Sequence, residues 1–406
     1  MKHQIVIVGG GAAGISTAAM LKKKDKTLDI AIIDPSEKHY YQPAFTLVGG
    51  GCYNLAETEK NEADLIPEGV VWLKEYADSF IPDNNSVTLK NGEVIEYDYL
   101  VVCPGLQLDW NKVDGLEQTI GKNGVCSNYL PQYAGYTWEC VQNFKEGKAL
   151  FTQPPMPIKC AGAPQKIMYL AADYFRKHKI SAEIDFNTAT PGIFGVPYFA
   201  KALSAIAGKY GCKLNYKTNL VAIDGENKQA TFEVEDESGN KSQITKSFDM
   251  IHVTPPQSAP DFIKNSPLAA DSGWVEVDQH TLQHARYENV FGLGDVTATP
   301  NAKTAAAVKL QVPVVVKNLL AKIKGAAGGA NYDGYGACPL TTARGKVLLA
   351  EFSYGGKVTP SLPLDPAKER WIYWLLKKYF FPFLYWKILL KGHPFPVPHK
   401  TFDTEK

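Results

Sequence analysis

A glycine-rich turn near the N-terminus constrains the fold of this chain more than any other feature. Gly9, Gly11 and Gly14 form the pattern G-x-G-x-x-G. Residues 5–8 before it are apolar and β-branched, as in a buried parallel strand, and residues 12–23 after it predict a helix. Glycines at this spacing let the backbone approach a pyrophosphate at the helix N-terminus. The sequence therefore predicts a Rossmann-type phosphate-binding turn; a glycine-rich turn in another kind of α/β protein is the alternative.

An acidic residue follows at the spacing that such sites use. Residues 28–33 predict a second strand, which ends in Asp34, 20 residues after Gly14. In dinucleotide-binding domains the carboxylate at this position accepts hydrogen bonds from a ribose hydroxyl. Strand, turn, helix and acid together predict an adenine dinucleotide site.

A weaker internal repeat predicts a second domain of the same kind. Residues 87–105 and 231–256 each predict a hairpin followed by an apolar strand that ends at proline. The second copy should carry its own phosphate-binding turn after a strand at 149–152, but the sequence there is QPPMPIKCAGAPQK. Because a nucleotide needs glycines for close approach to the backbone, this domain is expected to have lost NAD(P)H binding.

A Gly-Asp pair later in the chain favours FAD over NAD in the first site. Residues 290–296 (VFGLGDV) predict a strand that ends in Gly294 and Asp295, and residues 303–320 predict a helix. In flavoproteins such a carboxylate binds the ribityl chain, and the next helix points its N-terminus at the flavin pyrimidine. An aspartate that only caps the helix is the alternative.

Composition and charge exclude several other classes. Lys+Arg number 43 and Asp+Glu 42, so the net charge of +1 does not predict nucleic-acid binding. Seven cysteines without a CxxC pair are too few for a disulfide framework and predict no metal site. The sequence has no apolar stretch of about 20 residues that would predict a membrane-spanning helix.

The C-terminal stretch is unusually aromatic, with nine aromatic residues among the 16 from 371 to 386. Pro382 is expected to split residues 369–392 into two short amphipathic helices. Tryptophan and tyrosine favour the lipid headgroup boundary. Four lysines can extend to anionic lipid: Lys377, Lys378, Lys387 and Lys391. We therefore expect a helical hairpin lying in one membrane leaflet; a buried hairpin or a dimer contact is the alternative.

Seven segments resemble one known family, the sulfide:quinone oxidoreductases, in the branch that includes the mitochondrial enzyme. They are HYYQPAFTLVGGG (39–51), PIKCAGAPQKIMYL (157–170), HVTPP (252–256), GLGDVTATPNAKTAAAV (292–308), YDGYGACPL (332–340), LLAEFSY (348–354) and PFLYWKILLKG (382–392). KCAGAPQK and YDGYxxCPL are quite specific, whereas the glycine motifs are shared by all disulfide-reductase-like flavoproteins. The resemblance covers nearly the whole chain. It implies non-covalent FAD, a redox-active cysteine pair, hydrogen sulfide as donor, a ubiquinone- or menaquinone-type quinone as acceptor, and monotopic association with membrane lipid.

Carried over residue by residue, the resemblance makes Cys160 and Cys338 the redox-active pair. The residues around Cys160 independently favour a thiolate, because Lys159 and Lys166 flank it. Cys338 is expected in an exposed, strained, glycine-rich loop. For each cysteine an inert buried thiol is the alternative.

The other cysteines are expected to be structural. Cys126 resembles the branch of the family that lacks a third functional cysteine. The remaining four are expected to be small buried hydrophobes without partners: Cys52, Cys103, Cys140 and Cys212.

The motifs and the resemblance together give candidate cofactor and quinone residues, of which Gln42 and Ala77 rest on family position alone. The cofactor set is Gly9, Gly11, Ala12, Ala13, Gly14, Asp34, Gln42, Ala77, Gly294, Asp295, Lys303 and Thr304. Ala12 and Ala13 would donate backbone N–H groups to the FAD phosphates. Gln42 would contact the flavin, Ala77 the adenine end, and Lys303 with Thr304 the pyrimidine edge. Phe352, Phe381 and Tyr385 would pack against the quinone ring, with ordinary core packing as the alternative.

The implied mechanism is thiol–disulfide chemistry coupled to a flavin. Hydrosulfide attacks the sulfur bridge on the Cys338 side, which leaves a persulfide there and frees the Cys160 thiolate beside the flavin. The persulfide sulfur then passes to a small sulfur acceptor, and two electrons reach quinone by way of FAD.

The fold class expected is α/β, with two Rossmann-like dinucleotide-binding domains of the flavoprotein disulfide reductase type and a C-terminal amphipathic helical region. The predicted boundaries are 1–106 and 285–330 for the FAD-binding domain, 107–284 for the second Rossmann-like domain and 331–406 for the C-terminal region. We expect a peripheral membrane protein of a bacterial inner membrane, compatible with a homo-oligomer.

Three competing hypotheses remain at the level of sequence. A type II NADH:quinone oxidoreductase should keep the glycine pattern near 153–160 and has no need of the cysteine pair. A soluble flavoprotein that passes electrons from sulfide to a cytochrome explains the cysteines but not the aromatic stretch. A non-enzymatic flavin-binding protein is the third.

Overall fold

The structure, a computed structural model, describes residues 1–404. Its strands, numbered in chain order, are β1 (Lys2–Val8), β2 (Ile30–Ile33), β3 (Lys38–Tyr40), β4 (Glu59–Asn61), β5 (Val70–Leu73), β6 (Ala77–Ile81), β7 (Ser86–Leu89), β8 (Val94–Val102), β9 (Gln107–Leu108), β10 (Val125–Cys126), β11 (Glu146–Gln153), β12 (Ser181–Thr188), β13 (Lys213–Asn215), β14 (Thr218–Asp224), β15 (Gln229–Glu235), β16 (Lys241–Ser247), β17 (Met250–His252), β18 (Gln257–Ser258), β19 (Val290–Gly292), β20 (Gly336–Ala343) and β21 (Lys346–Phe352). Its α-helices are α1 (Ala12–Lys24), α2 (Phe45–Gly49), α3 (Leu116–Thr119), α4 (Pro131–Asn143), α5 (Ala163–His178), α6 (Pro197–Lys209), α7 (Asp261–Lys264), α8 (Ala305–Ile323), α9 (Trp371–Leu375) and α10 (Phe381–Phe383).

The first sheet is built around β1, as the sequence predicts. Its strands run in the order β5–β2–β1–β8–β7–β6, and β19 pairs with β8. β1 is parallel to both neighbours, with Ile7 opposite Ile32 on one side and Val101 on the other. Its apolar side chains are buried on both faces, which explains the continuous apolar run. Because β19 joins this sheet, the chain returns to the first domain after the second is complete.

The second sheet confirms a second Rossmann-like unit. Its order is β10–β17–β11–β12–β13, with parallel pairing throughout. α5 follows β11 where a nucleotide-binding helix would follow its strand. β14, β15 and β16 form an antiparallel sheet, which includes the predicted hairpin around Gly239. The chain therefore has the expected α/β architecture with two units of one plan.

The region after residue 330 adds a hairpin to the second unit. β20 pairs antiparallel with β21, with Cys338 opposite Ala350. Leu340 and Leu348 of this hairpin belong to the same hydrophobic core as Ile167 and Tyr169 of α5. This packing carries Cys338 towards the N-terminal end of α5.

The C-terminal helix differs from the prediction of two helices separated at Pro382. Residues 371–389 form one continuous helical run in which π-helical turns, Leu376–Phe380 and Leu384–Leu389, flank α10. Pro382 lies within this run, at the junction of the first π-helical turn and α10, so it does not end the helix. Among residues 1–404, no helix has both the length and the apolar character needed to span a bilayer.

Candidate functional site: a cysteine pair between two dinucleotide-binding units

The structure brings Cys160 and Cys338 together. Their Sγ atoms lie 3.1 Å apart, although 178 residues separate them in sequence. Cys160 lies in the turn between β11 and α5 with φ of +84°, a strained conformation for a residue with a side chain. Cys338 lies within β20 and is buried, so the expectation of an exposed, strained loop there is wrong. The strained backbone lies at Cys160 instead, because this turn between β11 and α5 stands where a nucleotide-binding unit has glycines.

The contact between the two thiols gives them different acidities, and a buried lysine is bonded to one of them. Lys166 Nζ donates to Cys160 Sγ at 3.1 Å. The hydrogen bond from Cys338 holds the pKa of Cys160 well below its usual value, and the charge of Lys166 adds to this effect. The same contact and burial raise the pKa of Cys338 well above the ordinary thiol value. Cys160 is therefore the thiolate of the pair and Cys338 the thiol.

A second lysine close to the pair comes from the C-terminal helix. Lys377 Nζ donates to Pro339 O at 2.9 Å and to Thr341 Oγ1 at 2.5 Å, and its side chain is buried. Burial lowers the pKa of Lys377 well below the ordinary value, and the neighbouring Lys166 lowers it further. The expectation that Lys377 extends to lipid is therefore wrong, since its amine is bonded to β20.

Lys159 and Lys303 join the two units beside the cysteines. A parallel backbone bridge links these two residues. Lys159 Nζ donates to Gln42 Oε1 at 2.9 Å, not to Cys160. Lys303 Nζ donates to the carbonyls of Asp295 at 2.7 Å and Thr297 at 3.0 Å. Burial lowers the pKa of Lys159 and of Lys303 to about 8.

The predicted residues at the start of α8 lie beside these lysines. Thr304 caps the helix, with its Oγ1 accepting from Ala307 N at 3.2 Å. Gly294 N donates to Gln311 Oε1 at 2.9 Å. Burial raises the pKa of Asp295, although two neighbouring lysines oppose the shift. The N-terminus of α8 thus faces the junction that holds Cys160, which suits a flavin between the two units.

The glycine-rich turn fits a pyrophosphate. A Cβ at Gly9 would overlap the carbonyl of Cys103, and one at Gly14 would overlap the carbonyl of Gly9, so neither position admits a side chain. Gly11, by contrast, faces open space, as a position beside a bound phosphate should. Ala12 and Ala13 open α1 at this point. Close packing on one side and free space on the other are what a dinucleotide requires.

A cleft beside this turn fits the adenosine end. It has a volume of about 680 Å³, and its walls include Gly9, Asp34 and Ala77. Asp34 Oδ2 accepts from Gly10 N at 2.6 Å and Oδ1 accepts from Ser36 N at 2.8 Å, which fixes the carboxylate at the wall of the cleft. The structure therefore brings together the two residues, Asp34 and Ala77, that were expected to contact ribose and adenine.

The three quinone candidates do not meet in one cluster. Phe352 packs against Phe194 with ring centroids 5.8 Å apart. Phe381 packs against its neighbour Phe380 at 6.1 Å. Tyr385 is buried, and its hydroxyl lies 2.6 Å from His39 Nε2. Within residues 1–404, no direct ring contact joins any two of the three candidates.

Sequence reasoning missed several members of the site. Lys377 carried no local motif that separates it from the exposed lysines nearby. Away from the pair, Cys140 is not without a partner, because the neighbouring thiol of Cys126 lowers the pKa of Cys140. His39 lies inside a quoted segment, but its partner Glu62 lies in no motif. These contacts arise from tertiary packing, and no local sequence pattern predicts them.

The fold and the site define a two-unit flavoprotein of the disulfide reductase class. The family model for pyridine nucleotide-disulphide oxidoreductases matches residues 3–135. The mitochondrial sulfide:quinone oxidoreductase of Dictyostelium discoideum is 48% identical over 397 residues, 97% of this chain and 87% of that protein. The Mus musculus mitochondrial enzyme is 43% identical over 393 residues, 96% of this chain and 87% of that protein. The chain therefore belongs to the sulfide:quinone oxidoreductase family.

A solved structure shows the same fold. The X-ray structure of the sulfide:quinone oxidoreductase from Aquifex aeolicus superposes with a TM-score of 0.76 at 21% identity, and covers 97% of this chain and 93% of that one. The two relatives with mitochondrial names give no support to the bacterial inner membrane expected above.

Proposed function

We propose that this chain oxidises hydrogen sulfide at the Cys160–Cys338 pair and reduces a membrane quinone, with FAD as its cofactor. The single observation that carries this proposal is the 3.1 Å contact between the two sulfurs, with Lys166 bonded to Cys160. The contact lies where the second unit lacks a nucleotide-binding turn. FAD, when bound, takes up the two electrons of sulfide oxidation and releases them to quinone.

The two cysteines have separate tasks. In the oxidised pair, hydrosulfide attacks Sγ of Cys338, forms a new S–S bond there and breaks the bond to Cys160. Cys160 leaves as a thiolate and is the better leaving group, because Lys166 bonded to its sulfur stabilises the negative charge. Cys338 then carries the persulfide. Its sulfane sulfur passes to a small sulfur acceptor, which restores the thiol of Cys338. The Cys160–Cys338 bond would then re-form as the two thiols give up their protons and two electrons, which FAD would accept when bound.

The cofactor residues hold FAD across both units. The turn at Gly9, Gly11 and Gly14 takes the pyrophosphate, and Asp34 with Ala77 takes the adenosine. At the other end, Lys303 and Lys159 bring positive charge to the junction between the units. A cation at this place stabilises negative charge that develops on a reduced cofactor.

Membrane attachment involves the outer face of the C-terminal helix. Trp371 is 64% exposed, Tyr379 61% and Phe383 54%. Large aromatic side chains at such exposure suit the headgroup boundary of one leaflet. We assign the protein a peripheral position on a membrane, with this face towards lipid.

Anaerobic titration with sulfide tests the function. Sulfide should bleach the flavin absorbance of the purified protein, and a soluble quinone analogue should restore it. A flavin that stays oxidised with excess sulfide would overturn the proposal. Denaturation should release FAD into solution, since its attachment is non-covalent.

A further inference from the structure

The end of the C-terminal helix packs against the helix that binds the cofactor phosphates. Tyr385, Leu389 and Leu390 share a hydrophobic cluster with Ile15 of α1, and Ala12 packs against the same cluster. The chain then turns at Gly392 against the backbone of α1, where a Cβ would overlap Met20 N. This end of the helix is therefore part of the first unit and not a free lipid arm.

A buried chain of hydrogen bonds continues from this contact towards the glycine-rich turn. Tyr385 Oη lies 2.6 Å from His39 Nε2, and His39 Nδ1 lies 3.0 Å from Glu62 Oε2. All three side chains are at most 5% exposed. Because a carboxylate oxygen only accepts, Nδ1–H donates to Glu62 and Nε2 accepts from the Tyr385 hydroxyl. The direction of each bond is thus fixed for a neutral imidazole.

Glu62 lies directly behind the turn. A Cβ at Gly10 would lie 2.5 Å from Glu62 Oε1 and 2.9 Å from Asp34 Cβ. Gly10 N in turn donates to Asp34 Oδ2. Glu62 Oε1 has no hydrogen-bond partner, and burial raises the pKa of this carboxyl. A buried carboxyl of this kind is held in place mainly by its one bond to His39.

We propose that Tyr385, His39 and Glu62 are positioning residues for the FAD site. Tyr385 fixes His39, His39 fixes Glu62, and Glu62 supports Gly10 from behind, so that Asp34 and the turn keep the shape that the adenosine and pyrophosphate require. FAD retention therefore depends on the membrane-facing C-terminal helix. This inference rests on FAD binding in the proposed function.

The test measures FAD affinity in matched tyrosine variants. Apoprotein of Tyr385→Phe is titrated with FAD, followed by flavin fluorescence. Loss of one buried hydrogen bond should weaken FAD binding by about tenfold. Tyr373→Phe is the control, because Tyr373 is a buried tyrosine of the same segment that belongs to the core of the second unit. It should bind FAD as the unaltered chain does.

Two further variants separate positioning from a general loss of structure. Glu62→Gln keeps a side chain that hydrogen bonds to His39 and should retain more FAD than Glu62→Ala. The visible circular dichroism of bound flavin should change in Tyr385→Phe but not in Tyr373→Phe. Unchanged FAD affinity in Tyr385→Phe would overturn the inference. An equal fall in apoprotein melting temperature and FAD affinity in both tyrosine variants would also overturn it.

The sulfide titration of the unaltered protein keeps the two proposals distinguishable. If sulfide fails to bleach the flavin while the Tyr385→Phe affinity falls as expected, the function is overturned and the positioning role stands. If sulfide bleaches the flavin but the FAD affinity of Tyr385→Phe is unchanged, the positioning role is overturned and the function stands.

Discussion

Lys166 Nζ lies 3.1 Å from Cys160 Sγ, and both residues belong to the turn and first helical residues where a nucleotide's phosphates would otherwise bind. A helix N-terminus and a buried ammonium group favour the same negative charge. The second unit has thus kept the electrostatics of an anion site and placed a thiolate in it.

Replacing Lys166 by methionine should raise the pKa of Cys160, because the variant loses an opposite charge within hydrogen-bond distance. The hydrogen bond from Cys338 remains in this variant, so the pKa should rise towards the ordinary thiol value without reaching it. The pH dependence of iodoacetamide alkylation of the reduced protein measures it, and the midpoint should move to higher pH. Lys159→Met is the matched control, since Lys159 is bonded to Gln42. An equal shift in both variants would contradict the role of Lys166.

Cys160→Ser and Cys338→Ser should each lose at least about 10³-fold in sulfide:quinone turnover, because neither can form the bridge. The two should differ in their spectra. Cys338→Ser keeps a thiolate near the flavin and should show a long-wavelength charge-transfer band without sulfide, whereas Cys160→Ser should not. Cys126→Ser is the control and should keep substantial activity. A folded, FAD-loaded Cys126→Ser protein without activity would indicate a mechanism with three cysteines.

NADH and NADPH should not reduce the flavin on the timescale of turnover. The turn after β11 contains prolines and Cys160 in place of glycines, so a pyridine nucleotide lacks close access to the backbone. Stopped-flow absorbance with NADH and with sulfide compares the two donors directly. Rapid bleaching by NADH would favour a type II NADH:quinone oxidoreductase.

Replacing Trp371 and Phe383 by serine should reduce binding to vesicles that contain anionic lipid. Removing two large apolar side chains should lower the partition coefficient by about tenfold or more. FAD content should not change, because both side chains are exposed and neither belongs to the cluster that packs on α1. The double variant Tyr216→Ser/Ile244→Ser, at exposed positions of the second unit, is the control. Unchanged vesicle binding in Trp371→Ser/Phe383→Ser would place the lipid contact elsewhere.

Deleting residues 369–406, unlike replacing Trp371 and Phe383, should change the FAD content of the protein. The sequence alone suggests that FAD stays bound, since the glycine-rich turn lies far away in the chain. The packing of Tyr385 on His39 and of Leu390 on α1 predicts instead that the truncated protein loses FAD during purification. The flavin-to-protein absorbance ratio measures the outcome, with full-length protein as the reference.

The sequence by itself determined the features that depend on neighbouring residues. The turn at Gly9 and the acid at Asp34 follow from local backbone chemistry, and so does the missing nucleotide turn ahead of α5. The hairpins and the parallel strands follow from residue alternation and apolar runs. These features needed no knowledge of what lies across the fold.

Only the tertiary structure decided which distant groups meet. Cys160 and Cys338 come together because β20 packs on α5, and this packing also buries Cys338 in a strand that looked like a loop. Lys377 resembles its exposed neighbours in sequence, yet its amine bonds to β20. Tyr385 reaches His39 across 346 residues. Burial and contact between such elements arise from the packing of whole helices and sheets, which no local pattern encodes.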